Sequence, residues 1–246
     1  MPSRVLLLAL AAIVCSGCAT PTPFDPFQIP REQLRDRVRT IAVVPLHAAF
    51  GLIDEGRAQQ EVLSPLVERL REAGYGIVAP EVWTALWTSY ARDVGEVYDP
   101  STARADSERW EIVESAVYSA LASGHGADAV LYTSLELVDL LDTGSEVVLC
   151  GAIEPVYWPG PRPPRHTVLA RGLCLQVALF DMEESFLYGI RSGVEVIETY
   201  AEQTRARRSI EDRVRDEKKL HETIDRLVGP LVELRAGSVS GAAGVD

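Results

Sequence analysis

The side chains with the clearest chemical meaning in this chain are its four cysteines, Cys15, Cys18, Cys150 and Cys174. A thiol can carry a lipid, form a disulfide or hold a metal ion, and the surrounding sequence decides among these. Two of the cysteines follow a short apolar run at the N-terminus, and the other two lie in the body of the chain. The two pairs therefore predict two different chemistries.

The N-terminus has the three parts of a secretory signal peptide. Arg4 supplies a positive charge, an apolar run of about ten residues follows it, and small residues precede Cys18. Such a run is too short to cross a bilayer core of ~30 Å as a helix, so we expect it to be removed. The end of this segment resembles a bacterial lipobox, although Cys15 stands where leucine is most common. We predict a signal peptide over residues 1–17 and lipidation of Cys18; the alternative is an ordinary signal peptide with a chance cysteine.

The other two cysteines flank a proline-rich turn with strand-like runs on both sides. If these runs form a hairpin centred near Arg162, Cys150 and Cys174 lie directly opposite each other. Opposed strand residues have Cα atoms ~4.5–5.5 Å apart, which suits a disulfide. An exported protein with two remaining thiols is a candidate for one such bond. The alternative is two reduced, buried cysteines that pack as small apolar side chains.

Residue patterns that support catalysis or metal binding are missing from the sequence. The histidines His47, His125, His166 and His221 lie far apart, and none has a metal-ligand spacing such as HExxH. No nucleophile elbow, phosphate-binding loop or dinucleotide-binding glycine pattern is present. With 36 acidic residues in the chain, pairs of carboxylates arise by chance. We therefore expect no enzyme, no metal and no cofactor.

Charge and composition narrow the class of partner. The chain has 246 residues, 47% of them hydrophobic, and a formal net charge of −12, so it can bury one sizeable core. Nucleic-acid binding depends on Lys and Arg that neutralise phosphates, and broad adhesion to anionic lipid depends on the same charges. An acidic chain is suited neither to nucleic-acid binding nor to broad adhesion to anionic lipid. We expect no nucleic-acid partner and a membrane contact made through acyl chains on Cys18.

Three further segments organise the chain. Residues 18–39 contain four prolines and predict an extended tether between the lipid and the domain. Residues 40–236 predict a single domain, and the small residues of 237–246 predict a disordered tail. The predicted fold class is α/β: a mixed sheet with a parallel βαβ half followed by an antiparallel meander, helices packed on the sheet, and a C-terminal helix.

Two surface features are candidates for contact with partners. Tyr157 and Trp158 stand among prolines, which predicts an extended segment of the kind that docks in partner grooves. The alternative is a hairpin cap whose rings fold onto the sheet. The arginine cluster at 205–208 predicts contact with lipid headgroups or an acidic partner, or else a solvated approach to the last helix.

Several stretches carry a resemblance to a known family. They are Cys18, the first strand TIAVVPL, and the phrases LREAGYGIVAPEV, GHGADAVLYTSLELVDL and LCLQVALFDMEESFLYG. In this order they resemble envelope lipoproteins with a TolB N-terminal-like domain, a group that includes outer-membrane lipoproteins, CsgG and LpoB. The resemblance covers roughly residues 40–199 and implies a scaffold, secretion, activator or transport role. A CsgG-like pore is not expected, because it needs several transmembrane hairpins and this chain has one long hairpin.

The lipobox and the resemblance together predict a lipid-anchored envelope protein that acts as a non-enzymatic interaction module in an assembly or transport complex. In a diderm bacterium, Ala19 rather than aspartate after Cys18 favours the outer membrane by the usual sorting pattern. We also expect the domain to face the periplasm. An envelope protein is the expected partner, and a homo-oligomer is left open. The alternative function is a small-ligand-binding component of a transport system, which a deep apolar pocket with convergent polar groups would favour.

The cysteine assignments predict the number of reactive thiols in the mature protein. Cys15 leaves with the signal peptide, Cys18 carries lipid, and Cys150 and Cys174 are bonded. Unreduced, denatured protein should therefore show no reactive thiol when its thiols are counted with a chromogenic disulfide reagent. Two reactive thiols would contradict the disulfide and leave the lipidation of Cys18 unaffected.

Overall fold

The computed structural model describes residues 24–48, 52–95, 97–98, 104–143, 146–160, 167–201 and 204–240. The predicted signal peptide at 1–17 and the predicted lipidation site Cys18 lie outside the described residues. The helices are α1 (Arg31–Arg37), α2 (Glu55–Ala58, a π-helical turn Gln59–Leu63, and Ser64–Glu72), α3 (Pro80–Val94), α4 (Ser107–His125) and α5 (Glu217–Ser240). The strands are β1 (Thr40–Val43), β2 (His47–Ala48), β3 (Gly76–Val78), β4 (Ala129–Thr143), β5 (Glu146–Leu149), β6 (Ala152–Pro155), β7 (Thr167–Asp181), β8 (Phe186–Ala201) and β9 (Thr204–Arg207).

Seven of the strands form one mixed sheet. The order is β3-β1-β4-β7-β8-β9, and the short β2 pairs with β4 beside the end of β1. The first three strands are parallel, with Ile41 of β1 opposite Ile77 on one side and Ala129 on the other. From β4 onward each pairing is antiparallel. The predicted fold class is therefore confirmed, including its parallel half, its meander and its C-terminal helix.

The parallel half forms because β1 is apolar on both faces and each neighbouring strand is reached through helices. Ile41 and Val43 contact one apolar cluster, and Ala42 contacts the cluster on the opposite face. α1, α2 and α5 cover the first face, and α3 and α4 cover the second. Helices on both faces are what a buried parallel sheet requires.

Three long strands dominate the antiparallel half. β4 and β7 have 15 residues each and β8 has 16, and β4 pairs with β7 from Ala129–Asp181 to Thr143–Thr167. Their apolar residues alternate, so one face of β7 places Leu173, Leu175, Val177 and Leu179 in the core beneath α2 and α5. The later half of β4 and β8 and the earlier half of β7 extend past α3 and α4, and there the β5–β6 hairpin covers the sheet.

The prediction of a hairpin around Arg162 is wrong, because the two strands expected to form it pair with other strands. β5 pairs with β6 through a two-residue turn at Cys150 and Gly151, and β7 pairs instead with β4. Both turn residues have positive φ, 46° and 83°, which is the backbone that closes the tightest hairpins. The short turn lets β5 pair with β6, the next strand along the chain, while β7 pairs with β4 along its whole length.

The folded unit also begins earlier than the predicted boundary at residue 40. The backbone N–H of Gln28 donates to the Leu187 carbonyl at 2.9 Å, which adds the N-terminal segment to the free edge of β8. Leu34 of α1 and Val38 are almost completely buried in the main core. Within the predicted tether 18–39, the part from about residue 26 therefore belongs to the domain, because its apolar side chains pack there. At the other end, α5 continues to Ser240, four residues into the predicted tail of 237–246.

Leu137 and Leu173 provide a matched test of this packing. They lie opposite each other in the β4–β7 register, yet Leu173 is 0% exposed and Leu137 is 37% exposed. L173A should lower the free energy of unfolding by about 2–5 kcal/mol through lost burial and the cavity left behind. L137A should cost under about 1 kcal/mol. Urea unfolding followed by circular dichroism measures both, and equal losses would contradict the layer arrangement.

Candidate functional site

Most of the predicted site residues come together at the β5–β6 hairpin and the strands beneath it. Cys150 and Cys174 are joined by a disulfide, and their Cα atoms are 6.3 Å apart. The bond links the turn of the hairpin to the middle of β7, so it connects two layers rather than two neighbouring strands of one hairpin. The predicted pair of residues is the same, but the structural reason for the pairing differs from the predicted one.

The inner face of the hairpin is packed closely onto β7 and β8. Val147, Leu149 and Val156 are buried there. A Cβ atom at Gly172 would lie 2.6 Å from the Leu149 side chain, and Gly193 likewise has no room for one. Glycine inside a strand marks such a close approach. These two glycines were a signal in the sequence that another layer covers the second half of the sheet.

The outer face of the hairpin is apolar and exposed. Val148 and Ile153 lie opposite each other in the β5–β6 register and are 68% and 72% exposed. Phe24, which is also 72% exposed, lines a cleft of about 710 Å³ together with Cys150 and Gly151 of the turn. We call Phe24, Val148 and Ile153 the apolar hairpin surface. This surface was not predicted, although three consecutive apolar residues in a strand, Val147, Val148 and Leu149, must place apolar side chains on both of its faces.

Three buried glutamates fix the hairpin, β8 and the C-terminal segment to one another. Glu154 of β6 pairs with Lys219 of α5. Glu195 and Glu198 of β8 pair with Arg208 and Arg205 respectively. Removing the cation of such a pair is costly, because it leaves the buried carboxylate without a compensating charge. This cluster therefore determines how the hairpin sits on the domain.

The arginine cluster at 205–208 is thus not a solvated approach to a helix. It lies on β9 and directly after it, with Arg205 and Arg208 bound to glutamates of β8. Arg207 is exposed. The pairing could not be predicted from the sequence, because the partner glutamates lie in an ordinary strand and only the fold buries them.

The shape of the chain between β9 and α5 depends on Glu195. One of its carboxylate oxygens accepts the backbone N–H of Val214 at 2.6 Å, and Val214 has a φ of 58°, which a β-branched residue rarely adopts. The buried Arg213 beside it donates to the Leu52 carbonyl at 2.8 Å. Burial raises the pKa of Glu195, and the Val214 N–H and the nearby cations oppose this only in part.

The predicted partner-binding residues Tyr157 and Trp158 are both half-buried. The Arg208 guanidinium lies 4.5 Å from the centroid of the Tyr157 ring, and Tyr157 packs against the hairpin cluster. Among the described residues, no ring or cation contact involves Trp158. A role in partner binding stays a prediction for both, and Tyr157 also has a packing role.

A second cleft lies between α4 and the sheet. Glu114, Tyr118, Tyr132, Phe180 and Glu184 line about 300 Å³. Glu114 accepts the Tyr132 hydroxyl at 2.9 Å, and Tyr118 donates to Tyr132 at 3.2 Å. Burial raises the pKa of Tyr118 to about 12 and raises the pKa of Tyr132 further in the same direction. Both phenols therefore stay protonated at neutral pH and act as hydrogen-bond donors.

A third cleft, of about 710 Å³, opens beyond the carboxyl ends of β1 and β3. The loop after β1 leads to α2 on one face of the sheet, and the loop after β3 leads to α3 on the other face. Ligands of α/β proteins often bind at such a switch point. Here the polar lining side chains, which include Thr84, Thr88 and Arg92, are exposed.

The described residues contain neither a metal-binding group nor a membrane-spanning helix. In the described ranges, no three His, Cys, Asp or Glu side chains form a group that suits a metal ion. His47, His125 and His221 are exposed and lie in different elements, and His166 is outside the described residues. No helix in the described part of the chain is both long and apolar enough to cross a membrane.

No protein-family model matches this chain, and no curated protein sequence matches it either. Lipoprotein GNA1162 from Neisseria meningitidis is 15% identical, and the match covers 64% of this chain and 83% of that one, with a TM-score of 0.32. The PelC dodecamer from Paraburkholderia phytofirmans is 13% identical, with 79% and 88% covered and a TM-score of 0.33. A neuraminyllactose-binding hemagglutinin homologue from Helicobacter pylori is 11% identical, with 89% and 96% covered and a TM-score of 0.33.

The first of these structures is a bacterial lipoprotein, which is the general class that the sequence predicts for this chain. The resemblance to TolB-like and CsgG-like domains stays a prediction. TM-scores of this size carry no conclusion about the fold, assembly or activity of this chain.

The buried glutamates predict opposite effects of two isosteric substitutions. The folded pKa of Glu195 is raised, so its contribution to stability is full below the unfolded pKa of about 4.5 and is lost as the pH rises through the folded pKa. Glu195→Gln removes that loss and still accepts the Val214 N–H. We therefore expect stability at pH 7 equal to or above that of the wild type, with a flatter pH profile.

Glu198 is the matched control. Burial alone raises its pKa, but hydrogen bonds from Arg205 and Tyr200 and nearby cations outweigh burial, and the net direction is down. Its contribution is present above about pH 4.5 and is lost as the pH falls. Glu198→Gln should therefore lower stability at pH 7. Denaturant midpoints measured across pH 4–8 would contradict this account if the two variants changed stability in the same direction.

Proposed function

We propose that this chain is a lipid-anchored envelope protein of the outer membrane whose domain acts as a non-enzymatic interaction module, in an assembly or transport complex, facing the periplasm. The observation that carries the proposal is the short distance along the chain between anchor and domain. Cys18 ends the lipobox, and Phe24, six residues later, already lines a cleft of the folded domain. The domain is thus held against the membrane rather than suspended far from it.

The disulfide supports an exported protein. Structural disulfides persist in the periplasm and outside the cell, whereas the cytosol keeps thiols reduced. The Cys150–Cys174 bond holds the exposed hairpin on the sheet, so an oxidising compartment stabilises the very part of the domain that stands out from it. This agrees with the signal peptide predicted over 1–17.

The use of the buried charges supports interaction rather than catalysis. Glu154, Glu195 and Glu198 are each bound to a cation of this chain and fix one element to another. A general acid or base has to reach a substrate, and these carboxylates are turned inward. The exposed apolar hairpin surface is instead the kind of feature that marks contact with another molecule.

One observation supports the alternative function, the binding of a small ligand, which we place second. The cleft at the switch point between β1 and β3 has a volume of about 710 Å³, which is within the range of small-molecule sites. Its side chains Thr84, Thr88 and Arg92 are exposed to solvent rather than buried. Because Glu81 lines the cleft as well as Arg92, a small ligand here would be held only by weak contacts with exposed side chains.

The proposed anchor predicts a clear effect of Cys18→Ser. Cells that express the full-length wild type and are fed a labelled fatty acid such as palmitate should label the mature protein, and fractionation should place it in the outer membrane. The variant cannot be acylated at residue 18, so it should carry no label and leave the membrane fraction.

The same cells provide the test of the interaction role. Cross-linking in the native envelope, followed by purification, should recover the wild type joined to an envelope protein or to further copies of itself, which the mass distinguishes. Replacing Trp158 with Ser tests the predicted partner loop without removing the Tyr157–Arg208 contact. Unlabelled wild-type protein found free in solution would overturn the proposed function.

A further inference from the structure

The position of Phe24 limits where the bilayer can be relative to the domain. A fully extended chain spans at most ~3.3–3.6 Å per residue, so the six Cα-to-Cα steps from Cys18 to Phe24 reach about 20 Å. Residues 26–28 are already hydrogen-bonded along β8, with the Gly189 N–H donating to the Pro26 carbonyl at 2.9 Å. The anchored cysteine therefore lies within about 20 Å of the cleft that Phe24 shares with the Cys150–Gly151 turn.

The surface nearest to the anchor is apolar. Val148 and Ile153 lie within two residues of that turn and project from the outer face of the hairpin. With Phe24 they are the most exposed of the large apolar side chains in the described residues. The disulfide and the Glu154–Lys219 pair hold the hairpin in place, so these side chains stay exposed and cannot fold back onto the sheet.

The charges around this surface differ from those of the whole chain. Arg191 and Arg226 line the same cleft as Phe24, and no ion pair involves either of them among the described residues. The two acids of the cleft are Asp225, which pairs with Arg69, and Glu233. The lining is therefore locally neutral in a chain of net charge −12, and guanidinium groups suit lipid phosphates.

From this placement we propose that the apolar hairpin surface is a second membrane contact: Phe24, Val148 and Ile153 enter the interface of the phospholipid bilayer that holds the acyl chains of Cys18, with Arg191 and Arg226 beside the headgroup phosphates. The inference rests on the proposed lipidation of Cys18. It assigns a bilayer, rather than a protein, as the occupant of this surface, because the length of the tether keeps the surface close to lipid.

A weak contact is sufficient here. A short tether makes the second contact intramolecular, with an effective concentration in the millimolar range, and an apolar interfacial face enters only ~5–10 Å into the headgroup boundary. Two attachment points also fix the orientation of the domain, which one flexible tether does not. The switch-point cleft and the α3–α4 layer are formed by other elements. The proposed membrane contact therefore leaves both accessible to other molecules.

Fluorescence quenching in vesicles tests the contact directly. The full-length, lipidated protein is reconstituted in phosphatidylcholine vesicles with and without brominated acyl chains, which quench nearby tryptophan. Ile153→Trp reports on the hairpin, and Val148→Trp is a second, independent reporter at the same surface. Ile112→Trp is the matched control, since Ile112 on α4 is 51% exposed. The native tryptophans are common to all variants and are subtracted with the wild type.

We expect brominated lipid to remove about half or more of the added emission in I153W and V148W and little in I112W, given the shallow depth of an interfacial contact. Fatty-acid labelling of each variant is measured on the same samples. Labelled protein with no quenching at the hairpin, or with equal quenching at all three positions, overturns this inference and leaves the proposed function standing. Protein without a fatty acid on Cys18 overturns both.

Discussion

The pairing of β4 with β7 along their whole length is the interaction on which the rest of this structure depends. It runs from Ala129–Asp181 to Thr143–Thr167, while the helices α3 and α4 cover only its first half. The second half would expose one apolar face to solvent, at a cost that grows with the area left uncovered. The β5–β6 hairpin covers that face and removes it from solvent. Gly172 and Gly193 have no side chains, so the hairpin can pack closely against β7 and β8.

Covering the sheet in this way has a consequence for the surface. A two-stranded hairpin has two faces, and with Val147 and Leu149 directed inward, Val148 and Ile153 are directed outward. A hairpin of this size is marginally stable on its own. The disulfide to Cys174 and the Glu154–Lys219 pair add stability that the hydrogen bonds between its two strands do not provide. The element that completes the core is thus also the most prominent apolar projection of the domain.

The position of the N-terminal segment connects this surface with the proposed anchor. Residues 26–28 occupy part of the free edge of β8, which removes an exposed strand edge and at the same time shortens the tether. Only five residues lie between Cys18 and Phe24. The strand edge and the hairpin turn are therefore neighbours of the proposed anchor for a packing reason, and the proposed membrane contact rests on this arrangement.

Properties that depend on composition and local order could be read from the chain itself: the apolar strand that begins at residue 40, the mixed α/β order and the identity of the cysteine pair. Strand partners could not, since β5 and β4 both alternate and either could pair with β7; the choice depends on the area buried by the whole sheet. The partners of Arg205 and Arg208 were hidden for the same reason. Local sequence determined which segments are strands and which side chains alternate, and only the tertiary structure decided which faces meet, because burial is a property of contacts between segments far apart in the chain.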